Sequence, residues 1–155
     1  MLLNIRHSGR VISNIERALH FYVDILGLHE ITRGQLDQDE VYKLLQIGDC
    51  GLTYIKLATT KDRPELSGGL VELYYLENDE LRKEFFAPPF IDEEMESTPL
   101  DHIAFSVDNI QALHKKLIEN RIEILSSPSI DTSCQFKIFF ARDPDCNLLE
   151  FVQIL

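Results

Sequence analysis

Four residues of this chain sit where a strand should be apolar. His7 lies in the stretch LNIRHSGRV on the face of Ile5, Gly9 and Val11, because alternate residues of a strand share a face. His102 shares a face with Ala104 and Ser106. Glu72 interrupts GLVELYYL beside Leu70 and Tyr74, and Glu150 interrupts NLLEFVQI beside Leu148 and Val152. A carboxylate in an apolar strand is costly to bury unless something compensates it. Taken singly, each residue reads better as ordinary structure: a lone His as a satisfied core or edge residue, a lone Glu as a side chain facing water. Here, however, a His opens and a Glu closes each of two similar stretches. One divalent cation held by His7, Glu72, His102 and Glu150 accounts for all four at once. Imidazole and carboxylate donors without thiolate suit Zn, Ni, Co, Fe or Mn, and Mg is retained among the candidates.

The elements that must carry these residues repeat once. HSGRVISNI, residues 7–15, aligns with HIAFSVDNI, residues 102–110, so that His7 falls on His102, Asn14 on Asn109 and Ile15 on Ile110. Each stretch runs from a strand pattern into a helix start. Ser13 with Glu16 has capping-box spacing, and Asp108 with Gln111 is the corresponding pair. The first helix carries Ile15, Ala18, Leu19, Tyr22, Ile25 and Leu26 at helical spacing, and Gly27 ends it in the left-handed conformation. The second carries Ile110, Leu113, Leu117 and Ile118, with Asn120 in the Gly27 role. Strand patterns follow at Leu28–Arg33, Leu52–Ala58 and Leu70–Leu76, and again at Ile122–Leu125, Gln135–Ala141 and Asn147–Ile154. Asp39–Ile47 reads as a short helical insertion. The acidic stretch Glu77–Pro99, with Pro88 and Pro89, reads as a connection. The expectation is an α+β fold: a first βαβββ module over 1–76, a linker over 77–99 and a second module over 100–155. A single module has little core of its own, so the two are expected to pack into one domain.

Composition narrows the function classes. The chain has 155 residues, 45% of them hydrophobic, and a net charge of −11. That is enough apolar matter for a core. The acidity argues against nucleic acid and anionic membranes as partners, since both reward a basic face. The apolar runs are too short to span a bilayer, and MLLNIRHSGR lacks the pattern of a signal peptide. Cys50, Cys134 and Cys146 fit neither a disulfide framework nor a zinc knuckle. A cytoplasmic protein acting on a small molecule is expected.

The stretches IRHSGRVISNIERALHFYVDILGL, GLVELYYL, LDHIAFSVDNIQALHKKL and FFARDPDCNLLEFVQ resemble the vicinal oxygen chelate superfamily, which includes glyoxalase I, methylmalonyl-CoA epimerase, extradiol dioxygenases and bleomycin-resistance proteins. The opening His with a helix ending FY-x-x-x-LG, and the closing F-x-x-DPD-x-N-x-x-E, carry the resemblance. It implies paired βαβββ modules curling as a mixed sheet around a metal cavity, with the metal on His7, Glu72, His102 and Glu150. The ELYY segment looks most like the matching strand of glyoxalase I. The chain departs from that enzyme in having Val11 where the short bacterial type has an Arg, Leu100–Asp101 before the second His, and Cys146 in place of the Gly of a DPDGN turn.

The chemistry so implied is metal-dependent proton abstraction from an α-hydroxy- or α-keto-carbonyl compound, by a lyase, isomerase or epimerase. Glu150 is the first choice of base and Glu72 the second. Two alternatives stay open. One is a non-haem iron extradiol-type dioxygenase with Tyr54 or Tyr74 as base; the other is a drug-binding protein without catalysis. Arg33, Arg82 and Arg142 are candidates for an anionic substrate tail. His20, His29 and His114 read as solvent-facing, Phe85, Phe86 and Phe90 as anchors of the linker, and Cys134 and Cys146 as inert thiols. Two modules complete one site in a single chain, so a homodimer is admitted but not required.

Overall fold

The computed structural model describes residues 6–62, 69–86, 101–131 and 134–155. The chain divides into two compact units, Met1–Phe90 and Ile91–Leu155. The first contains β1 (His7–Val11), α1 (Ile15–Leu19), β2 (His29–Leu36), α2 (Gln38–Leu45), β3 (Leu52–Ala58), β4 (Leu70–Leu76) and α3 (Asp79–Phe86). The second contains β5 (His102–Ser106), α4 (Ile110–Glu119), β6 (Ser129–Ile130), β7 (Phe136–Arg142) and β8 (Leu148–Ile154). The sheet orders are β1-β4-β3-β2 and β5-β8-β7-β6. β1 runs parallel to β4, β5 parallel to β8, and the remaining pairs are antiparallel. Two four-stranded mixed sheets built from βαβββ modules are the expected α+β architecture.

In each unit one sheet face is apolar. In the first, Ile55, Leu57, Val71 and Leu73 are buried together with Ala18, Phe21, Tyr22 and Ile25 of the helical segment. In the second, Phe139, Leu149 and Phe151 are buried with Ile110 and Leu117 of α4. Phe139 stacks on Phe151 with centroids 5.0 Å apart, and Phe151 on Phe105 at 5.8 Å. Alternation leaves His7, Glu72, Lys56, Tyr54 and Tyr74 on the other face of the first sheet, and His102, Glu150 and Phe140 on the other face of the second. The α2 insertion packs through Val41 against Leu52, Leu76 and Tyr74, so it covers one end of the first of these faces.

Several local expectations need correction. The helix caps are Asn14 and Asn109, one residue later than Ser13 and Asp108: Asn14 accepts from the Arg17 N–H, Asn109 from that of Ala112. Ser13 instead accepts from the Arg17 guanidinium. Beyond Leu19 the first helix widens into a π-helical segment, His20–Ile25, and Gly27 takes φ 84° beyond it. After α4 the left-handed residue is Arg121, at φ 57°, rather than Asn120. The insertion is helical with a capping box of Asp37 and Glu40. Ile122–Leu125 is reduced to a single bridge between Ile124 and Ala141, and β6 is an additional short strand. Part of the expected linker is α3, capped by Asn78, whose side chain accepts from the Glu80 and Leu81 N–H groups.

Candidate functional site

Each unit brings one His and one Glu together by the same device. In the parallel ladder of β1 and β4, His7 stands opposite Leu70 and Gly9 opposite Glu72. In that of β5 and β8, His102 stands opposite Leu148 and Ala104 opposite Glu150. The His and Glu are therefore diagonal neighbours on one face. His7 Nδ1 is 3.2 Å from Glu72 Oε2, and His102 Nε2 is 3.1 Å from Glu150 Oε2. Within neither unit does a third His, Cys, Asp or Glu among the described residues complete a metal-holding group.

The first pair fits a cation. Its Glu72 side chain is only 7% exposed. Its Oε2 is buried and makes no hydrogen bond, despite the nearby imidazole nitrogen. Such an oxygen carries a desolvation cost that a cation would remove. A carboxylate oxygen and an imidazole nitrogen side by side are donors that a borderline divalent ion accepts. In the second unit the side chains of His102 and Glu150 are 36% and 18% exposed and share a hydrogen bond. The imidazole lies edge-on to Phe140 at 5.8 Å.

Tyr74 and Tyr54 flank the first pair. The Tyr74 hydroxyl is 3.5 Å from His7 Nε2. Burial, and then the nearby Glu72 charge, push the phenol above its ordinary range. Gly9 makes room for the ring: a Cβ there would lie 2.5 Å from Tyr74 Cε2. Gly34 does the same for Tyr54, with a Cβ 2.4 Å from its hydroxyl oxygen.

The sequence reading passed over Lys56, which stands opposite Glu72 in the ladder of β3 and β4. Its ammonium is 3.7 Å from Glu72 Oε1 and 5.3 Å from the centroid of the Tyr54 ring. The signal was available, since Lys56 interrupts LTYIKLA as Glu72 interrupts LVELYYL.

The other candidates are engaged elsewhere. Arg33 pairs with Glu30. Arg82 lies 4.3 Å over the Tyr75 ring and pairs with Asp79. Arg142 donates to the Cys146 carbonyl oxygen and lies 3.5 Å from Glu123. His20 is exposed and pairs with Asp24. His29 is half-buried where it opens β2. His114 is not solvent-facing: it packs edge-on against Phe139 at 5.2 Å. Phe85 is exposed rather than an anchor, Phe86 is half-buried, and Phe90 lies outside the described residues. Cys146 occupies φ 65°, the turn position where glycine was expected. Its N–H donates to the Asp143 carbonyl oxygen. Cys134 and Cys146 are exposed free thiols and Cys50 is buried. No helix among the described residues is long and apolar enough to cross a membrane.

Solved structures share this fold. A glyoxalase family protein from Bacillus cereus matches with a TM-score of 0.76 at 14% identity, over 100% of this chain and 96% of its own. The trypanothione-dependent glyoxalase I of Leishmania major matches at 0.62 and 19% identity, over 98% and 87%. A glyoxalase/dioxygenase from Nostoc punctiforme matches at 0.62 and 24% identity, over 98% and 91%. Among curated proteins none matches the sequence. The sequence model of the Glyoxalase/Bleomycin resistance protein/Dioxygenase superfamily matches residues 4–151, so nearly the whole chain, including all four candidate ligands, belongs to that superfamily.

Proposed function

We propose that this protein is a metal-dependent lyase or isomerase of glyoxalase type. Its substrate is a small α-hydroxy- or α-keto-carbonyl compound, and His7, Glu72, His102 and Glu150 hold one divalent ion. The observation that carries this reading is the repetition of a His–Glu pair at the same register of a parallel ladder in both units. Two donors are fewer than a divalent ion ordinarily takes, so the reading needs both pairs on one ion. When bound, that ion supplies Lewis acidity to two neighbouring substrate oxygens and makes the adjacent C–H bond easier to ionise.

The chain's own residues then divide the work. Glu72 is enclosed, with His7 and Lys56 beside it, which suits a fixed ligand. Glu150 is more open, and Phe140 occupies the register position that Lys56 has beside Glu72. Its cross-strand neighbour is uncharged, so the carboxylate is not tied to a cation there. Glu150 Oε2 takes the carbon-bound proton, while His102 Nε2, 3.1 Å away, orients the carboxylate. Return of the proton to the neighbouring carbon gives isomerisation, and return to the same carbon on the other face gives epimerisation.

The test is solvent-proton exchange in D2O, followed by NMR on α-hydroxycarbonyl compounds with each candidate metal. The expected result is metal-dependent exchange that a chelator abolishes. Oxygen uptake with ferrous ion and catechols, without exchange, would favour the dioxygenase alternative. Tight drug binding indifferent to a chelator would favour a binding protein.

A further inference from the structure

We infer that Lys56 recognises a negatively charged group on the substrate, so that the compound processed is an anionic α-hydroxy- or α-keto-carbonyl acid and not a neutral one. This inference rests on the metal-dependent reading above and deepens it.

Lys56 is a cation on the functional face of the first sheet, with its side chain 27% exposed. Among the described residues its one ion-pair partner is Glu72, and at 3.7 Å the contact is longer than a hydrogen bond. The ammonium faces Oε1 and leaves Oε2, beside His7 Nδ1, without a hydrogen bond. The repeated architecture does not require this ammonium, because the second unit places Phe140 opposite Glu150. Gly34 lets the Tyr54 ring lie beside it, and that ring sits beneath the ammonium, which keeps Lys56 directed along the face.

With a divalent ion on Glu72, the carboxylate's charge is shared and Lys56 is left as a second cation close by. Like charges in a partly desolvated place disfavour each other. An anion supplied by the substrate relieves both. Arg33 and Arg82 pair with Glu30 and Asp79, and Arg142, in register with Leu148 on the second sheet, is held by Glu123 and the Cys146 carbonyl oxygen.

The experiment compares hydroxypyruvate with hydroxyacetone, which differ by a carboxylate in place of a methyl group. Each is titrated by calorimetry into metal-loaded wild type, Lys56→Met and Lys56→Arg. Wild type is expected to bind hydroxypyruvate at least about tenfold more tightly than hydroxyacetone, on the scale of one charge-assisted contact. Lys56→Met should lose that preference while keeping its affinity for hydroxyacetone, and Lys56→Arg should restore part of it. The ion itself should bind Lys56→Met at least as tightly as wild type, since a repelling charge is gone. Equal hydroxypyruvate binding by loaded wild type and Lys56→Met would overturn this inference alone. Failure of the wild type to bind any ion would overturn the metal reading and this inference with it.

Discussion

The two halves place the same residue pair at the same register and then surround it differently. Around Glu72 stand Lys56, Tyr54 and Tyr74, and the carboxylate is nearly enclosed. Around Glu150 stand Phe140, Ile138 and Val152, and the carboxylate is more open. The imidazoles turn opposite nitrogens to their carboxylates, Nδ1 in His7 and Nε2 in His102. In the first half Tyr74 stands near the remaining ring nitrogen. The lesson is that a duplicated scaffold supplies the positions, while the neighbouring strand sets what surrounds each side chain. The first half encloses its carboxylate, and the second leaves its carboxylate more open.

The largest effect should separate the two carboxylates. Glu150→Gln should slow proton exchange by about 10²–10⁴-fold at saturating ion. Glu72→Gln should act mainly by weakening ion binding, so that excess ion restores exchange. If Glu72→Gln abolished exchange with the ion still bound, the division of labour would be reversed.

Ion binding to the native state should also appear as stability. At about a hundredfold excess over Kd the gain is roughly 2.7 kcal/mol, read as a rise in Tm. Both His7→Ala and His102→Ala should lose it, and survival of the gain in one of them would mean that the halves bind ions separately.

A smaller effect contrasts the residues opposite the two carboxylates. Gly9→Ala should cost about 1–3 kcal/mol, because its Cβ would overlap the Tyr74 ring, and should weaken ion binding through His7. Ala104→Gly, at the matching register position in the second half, should cost only about 0.5–1 kcal/mol. Chemical denaturation of both variants checks the difference. The smallest change is a gain: Cys146→Gly relieves a left-handed residue at φ 65° and should stabilise by about 1 kcal/mol, with proton exchange unaltered.

Much of the fold was legible because strand alternation and helix spacing leave direct marks. Leu52–Ala58 and Leu70–Leu76 are strands over the expected residues. The caps slipped by one position because adjacent residues, Ser13 with Asn14 and Asp108 with Asn109, are both capping types. Only the backbone geometry decides between them. α3 was hidden because acidic residues and prolines dominate its neighbourhood, although Asn78 followed by Asp79 and Glu80 is a helix start. At the site, residue type marked His7, Glu72, His102 and Glu150. The sequence could not say which ring nitrogen faces which carboxylate, or that Glu72 Oε2 is left without a hydrogen bond. Lys56 escaped because a lysine in a strand is so often a solvated residue, and its proximity to Glu72 arises from pairing between β3 and β4.

On the proposed reading, both His–Glu pairs serve one ion. It is tested most directly by elemental analysis and calorimetry on chelator-stripped wild type, His7→Ala and His102→Ala. One divalent ion per chain is expected in the wild type, with affinity largely lost in each variant. No ion in the wild type, or undiminished binding in either variant, would contradict it.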